Sequence, residues 1–80
     1  MNNPVMRHIV EILNDKFYVP HADLAPTARF EDLNVDSLVL AELAVILQQR
    51  LGVPVDESDL PAEMTIADAA ENLSAKGVAA

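Results

Sequence analysis

The segment from Ser37 to Leu51 constrains this chain more than any other. It contains no proline or glycine, it is mostly aliphatic, and Gly52 and Pro54 follow it directly. Glycine supplies the left-handed residue that ends a helix, and proline cannot continue one. A helix is therefore predicted over residues 37–51. Leu38, Ala41, Val45 and Leu51 fall near one stripe, and Leu43 and Leu47 widen it. A helix so dense in apolar residues needs partners on more than one face, and the same short chain has to provide them.

Those partners are helical. Asn3 is a good N-cap and Pro4 suits a first helical position, so a first helix is expected from Asn3 or Pro4 to about residues 16–18. Val5, Ile9, Ile12 and Leu13 form its apolar stripe. Between Val19 and Val35 the period is lost, and Pro20 and Pro26 break any helix. Unstructured connections of this length are uncommon in small domains. The stretch reads as an ordered loop pinned by Leu24, Phe30 and Leu33, with room for a short helical turn. After the acidic run Asp56–Glu57–Ser58–Asp59, a short helix is expected through Leu60 to Glu63, capped by Ser58 or Asp59. A last helix starts at Thr65, with Asp68 in a loose capping box. It carries the stripe Ile66, Ala69, Ala70 and Leu73, ends at Gly77, and leaves residues 78–80 as a frayed tail.

The expected fold class is thus all-α: a four-helix bundle of three main helices and one short one, with a long first loop, over residues 1–80 as one domain. The chain has 80 residues and no cysteine, so it folds without disulfides or thiolate metal sites. Its hydrophobic content of 51% argues against disorder, and with 4% aromatic residues the core is aliphatic. A formal net charge of -8 disfavours nucleic acid and anionic membranes and suits partners with basic surfaces, or simply keeps a small protein in solution. No signal peptide and no membrane-length apolar run is visible, so no membrane insertion is expected and a cytoplasmic monomer is the default.

The chemistry-bearing residues gather at the start of the long helix, in Asp36-Ser37-Leu38. A helix N-terminus offers unpaired N–H groups and partial positive charge, which favour a phosphate-bearing group. Ser37 is expected at the cap or first turn with its hydroxyl towards solvent. Asp36 can cap the helix itself, or help hold a divalent cation when a phosphate donor arrives. Leu38 is expected to begin the buried stripe. Taken alone, Asp-Ser before an apolar run is also an ordinary helix start. A catalytic serine would need a base and an oxyanion hole. No Gly-x-Ser-x-Gly elbow surrounds Ser37, and His8 and His21 fall on a helix face and in a loop. Asp56, Glu57 and Asp59 lack the glycine and terminal glutamate of a calcium loop and read as solvated capping groups.

Over nearly its whole length the sequence resembles the acyl carrier proteins. The residues that carry the resemblance are Phe30-x-x-Leu33-x-x-Asp36-Ser37-Leu38, Glu42-Leu43, Leu51-Gly52-Val53-Pro54-Val55 and Thr65-Ile66-Ala67-Asp68-Ala69-Ala70. The resemblance implies that Ser37 carries 4'-phosphopantetheine, installed from coenzyme A by a phosphopantetheinyl transferase with magnesium. Asp36 would assist that modification and Leu38 would pack the motif. The arm would hold acyl groups as thioesters and offer them to acyl-loading and acyl-processing enzymes. The protein would be a carrier and not an enzyme, and the bundle would open between helices to shelter the chain. Small residues such as Ala41 and Ala44 leave room for it, or serve only close helix packing.

The second helix departs from the housekeeping fatty-acid carriers, which show several acidic residues along its exposed face. Here that face has Asp36 and Glu42, Val39 directly after the motif, and Gln48-Gln49-Arg50 near its end. An acidic stripe steers basic partners, and its thinning implies different partners or more apolar docking. Val39, Leu40, Glu42, Gln49 and Arg50 are the expected partner-binding residues. Val39 and Leu40 either form an exposed apolar patch or pack against the long loop. The reading is a carrier for fatty-acid, polyketide or related biosynthetic enzymes, leaning towards a specialised polyketide, peptide or modified-lipid pathway over the housekeeping one, and free-standing unless it is a fragment cut from a synthase. The absence of Gly-Gly-x-Ser favours acyl over aminoacyl cargo. Two other classes stay open: an unmodified acidic interaction module, and a degenerate carrier acting as a structural subunit.

Overall fold

The structure, a computed structural model, describes residues 4–76. The expected cap at Asn3, the stop at Gly77 and the tail lie outside the described residues. Three α-helices are present: α1 (Pro4–Phe17), α2 (Ser37–Leu51) and α3 (Ile66–Ser74). Short 3-10 turns occur at His21–Asp23, Phe30–Leu33 and Glu57–Asp59. The all-α expectation holds, and among the described residues no strand forms beyond an isolated antiparallel bridge between Arg29 and Thr65.

The flanking helices follow the sequence. Val5, Ile9, Ile12 and Leu13 are the buried residues of α1, and Ile66, Ala69, Ala70 and Leu73 those of α3. Thr65 caps α3, its Oγ1 accepting from the Asp68 N–H at 3.1 Å. Beyond α1, Tyr18 takes a left-handed φ of 59° and is 85% exposed. The Val19 N–H then reaches back to the Leu13 carbonyl at 3.0 Å, and Asn14 Nδ2 donates to the Val19 carbonyl at 2.9 Å.

The helix α2 has the predicted bounds but a different buried face. Leu40, Leu43, Ala44 and Leu47 are buried, whereas Leu38 is 66% and Val45 56% exposed. Ala41 and Leu51 are half-buried. Apolar residues crowd α2 on most sides, so two phases of the 3.6-residue period fit the sequence; packing against α1 selects the phase that begins at Leu40. Gly52 ends the helix as expected, with φ 71° and its N–H on the Gln48 carbonyl at 3.0 Å.

The expected short helix through Leu60 to Glu63 does not form. A 3-10 turn stands earlier, at Glu57–Asp59, with Asp56 at its cap. Asp59 closes this turn by accepting the Asp56 N–H at 2.9 Å, so it does not cap a following helix. Pro61 pushes Leu60 out of the helical region, to φ -127° and ψ 58°.

The long loop is pinned as expected by buried Leu24, Phe30 and Leu33. Backbone bonds also stitch it to the chain before and at the start of α3. Phe30 N–H donates to the Met64 carbonyl at 3.2 Å and Glu31 N–H to Ala62 at 2.8 Å; Ile66 N–H donates to Ala28 at 2.9 Å and Ala67 N–H to Pro26 at 3.0 Å. The helix α1 packs against both α2 and α3, and those two meet chiefly through the turn at Glu57–Asp59. Phe30, Leu43, Leu47, Leu60 and Leu73 are fully buried at the centre.

Candidate functional site

The stitched loop delivers the chain to the start of α2. Asn34 makes the last bend with a left-handed φ of 60°, a conformation asparagine tolerates well. Asp36 is the N-cap: its backbone is extended and its Oδ1 accepts the Val39 N–H at 3.0 Å. The Leu40 N–H bonds the Asp36 carbonyl at 3.1 Å. Ser37 is therefore the first helical residue, not the cap, and it is exposed. Among the described residues no group accepts from the Ser37 and Leu38 amides. The site is an exposed hydroxyl beside two unpaired helix-start N–H groups. That suits a phosphodiester linked to Ser37, since its oxygens take such donors and gain from the helix field.

Among the described residues no hydrogen bond joins Ser37 to His8 or His21, which stand on α1 and on the first 3-10 turn. The acidic turn is used structurally. Asp59 Oδ2 takes the Asp56 N–H and the Lys76 ammonium at 2.8 Å. The Asp56 N–H first, and Lys76 second, hold the Asp59 carboxyl below its ordinary 3.8, against a smaller opposing effect of burial.

The expected partner residues separate into two groups. Glu42 and Gln49 are exposed on the outer side of α2. Leu40 is only 5% exposed, because it belongs to the core-facing phase, so its side chain offers nothing to a partner. Val39 is half-buried. Arg50 is turned towards α1, where it pairs with Glu11 at 3.5 Å. Gln48 accepts the Val55 N–H through Oε1 at 3.2 Å. In their place Leu38 and Val45 join Glu42 and Gln49 in one outward stripe, spaced four, three and four residues apart along roughly 16 Å of helix. The sequence held the signal: Glu42 and Gln49 lie two turns apart on one line, and Leu38 and Val45 share that line.

Residues 7–73 match the family model of the phosphopantetheine attachment site. The chain is 33% identical over 73 residues to the acyl carrier protein of Nitratidesulfovibrio vulgaris strain DP4, covering 90% of this chain and 96% of that one. It is 29% identical over 77 residues to the acyl carrier protein of Acidothermus cellulolyticus, covering 95% and 92%. With that of Thermobifida fusca it shares 32% over 65 residues, covering 80% and 82%. No solved structure gives a significant match. The matches define a phosphopantetheine-bearing carrier, a class of protein that does not itself catalyse. The chain belongs to the acyl carrier protein family.

Proposed function

We propose that Ser37 is the attachment point of 4'-phosphopantetheine and that the protein presents acyl intermediates to biosynthetic enzymes. The observation that carries this reading is the exposed Ser37 hydroxyl at the first position of α2, with the Ser37 and Leu38 amides unpaired beside it. When attached, the arm supplies a terminal thiol that holds acyl groups as thioesters. The chain itself contributes an acceptor oxygen, two donors for the linking phosphate and a rigid helix start. Asp36 fixes that start through Oδ1, and its other oxygen is available to the magnesium of the transferase reaction. Residues 1–80 act as one carrier domain, and the family match over 7–73 supports this.

Partners seat on the outward stripe Leu38, Glu42, Val45 and Gln49, which starts beside Ser37. Its single carboxylate and two large apolar side chains support the reading of a specialised carrier with cytoplasmic partner enzymes other than those of the housekeeping pathway. The partners are a phosphopantetheinyl transferase and acyl-loading and acyl-processing enzymes, and the carrier meets them as a monomer.

The test is intact mass after incubation with coenzyme A, magnesium and a broad-specificity phosphopantetheinyl transferase, beside Ser37→Ala. One added phosphopantetheine on the parent and none on the variant is the expected result. No addition by several transferases would leave Ser37 a residue of the helix start and the protein an unmodified interaction module.

A further inference from the structure

Among the described residues two besides glycine take a left-handed φ: Tyr18 at 59° and Asn34 at 60°. They are held in different ways. At Tyr18 the fold imposes the bend. The next residue, Val19, is buried, its N–H lies on the Leu13 carbonyl, and its own carbonyl accepts from Asn14 Nδ2. With both sides fixed, even a bulky residue is carried into that region. At Asn34 no such ties exist. Among the described residues no hydrogen bond reaches the backbone of Asn34 or Val35, nor the Asn34 side chain, and Asn34 is exposed. Val35 is held only by partial packing against the core. What Asn34 contributes is therefore its tolerance of the left-handed region.

This joint lies between two fixed bodies. Before it, the Phe30 and Glu31 amides are tied to Met64 and Ala62, and Leu33 is buried. After it, the first buried side chain of α2 is Leu40. Ser37 stands in the stretch between those two anchors, and Asp36 secures that stretch. Its Oδ1 accepts the Val39 N–H and its carbonyl the Leu40 N–H. Both bonds need the chain to arrive extended at Asp36, where φ is -99° and ψ -178°. A different φ at Asn34 redirects the chain two residues earlier, and Val35 or Asp36 must absorb the change.

We propose that Asn34 is a positioning residue for the modification of Ser37: its left-handed bend brings Asp36 to the cap and so sets the place of the Ser37 hydroxyl, an inference that rests on the reading of Ser37 given above. A β-branched residue at this position depopulates the bend about tenfold. Molecules that have left the bend keep α2 seated through Leu40, Leu43, Ala44 and Leu47, and keep its outward stripe. They offer the hydroxyl out of place. A misplaced acceptor slows transfer without weakening docking.

The test compares the parent with Asn34→Val, Asn34→Ala and Asn34→Gly. The kcat and KM for the carrier are measured with coenzyme A, magnesium and a broad-specificity phosphopantetheinyl transferase. Amide exchange at Val39 and Leu47 is measured on the unmodified proteins. In Asn34→Val, kcat falls about tenfold at unchanged KM, and the Val39 amide exchanges faster by a larger factor than the Leu47 amide. Asn34→Ala shows the same pattern more weakly, and decides the matter if the valine variant does not fold. Asn34→Gly, free to take the bend, matches the parent in kcat and at Val39. Parent kcat in both the valine and alanine variants, or a glycine variant as slow as they are, overturns the proposal. So does a rise at Leu47 as large as that at Val39, which would mark a loss of the whole fold. A parent that accepts no phosphopantetheine overturns the Ser37 reading, while Val39 exchange still decides whether Asn34 sets the cap.

Discussion

Asp36 Oδ1 accepts the N–H of Val39 at 3.0 Å, and this bond gives the cap of α2 to Asp36 rather than to Ser37. Capping belongs to Asp36, so the neighbouring hydroxyl is left exposed. Removing Asp36 should cost about 1 kcal/mol of stability, and removing the Ser37 hydroxyl less than about 0.5 kcal/mol. Urea unfolding of Asp36→Ala and Ser37→Ala measures the difference. Only Ser37→Ala should block phosphopantetheine addition outright, with Asp36→Ala slowing it. Equal losses of stability in the two variants would return the capping role to Ser37.

Val45 stands exposed on the outer stripe of α2, whereas Arg50 pairs with Glu11 of α1. Val45→Gln should raise the KM of a phosphopantetheinyl transferase for the carrier about tenfold at unchanged stability, since a lost apolar anchor is worth roughly 1–2 kcal/mol. Arg50→Glu should instead lower stability by no more than about 1 kcal/mol, by breaking the pair with Glu11 across α1 and α2. The added change Glu11→Lys should recover part of that loss. A KM that responds to Arg50 and ignores Val45 would reverse this assignment.

Asp59 ties stability to acidity. Its folded carboxyl is held below 3.8, chiefly by the Asp56 N–H and then by Lys76. A carboxyl that ionises more readily when folded favours folding wherever the unfolded one is ionised, above about pH 4. That contribution is lost as pH falls through the lowered folded value. Asp59→Asn should therefore be less stable than the parent near pH 7, and the gap should close towards about pH 2. Denaturant midpoints across that range provide the measurement; a gap that widens in acid would contradict the sign.

Tyr18 holds a left-handed backbone and is 85% exposed. The conformation is unfavourable for a bulky residue, and so exposed a ring repays little of the strain. Tyr18→Gly should stabilise the protein by about 0.5 kcal/mol, after allowing for the greater freedom of glycine in the unfolded chain. The urea midpoint should rise with no change in slope. A fall would mean that the ring contributes packing not evident from its exposure.

Helices α1 and α3 were legible because each carries one narrow apolar stripe on an otherwise polar surface. The start of α2 was legible for a different reason: Asp36 and Ser37 act through local chemistry that sequence neighbours determine. The buried side of α2 was not. Its apolar residues supply two phases, and the choice of Leu40 over Leu38 depends on where α1 lies. The missing short helix was foreshadowed by Pro61, which makes Leu60 a poor helical residue. The pairs Arg50–Glu11 and Lys76–Asp59 join positions far apart in sequence, and no periodicity announces such pairs. Whether Leu40 was exposed or buried stayed open for the same want of tertiary information, and the structure buries it.

The stitching of the loop at 26–31 to residues 62–67 has a consequence for the order in which the molecule is assembled. These bonds link residues about a third of the way along the chain to its last quarter. Contacts so distant form only after the intervening chain has been drawn in, and they slow folding more than local helix formation does. A nascent chain lacking residues 62–67 can wind α2 but cannot complete the frame that leads into it. The serine is thus made early and positioned late, and its presentation on a finished helix start depends on residues translated long after it.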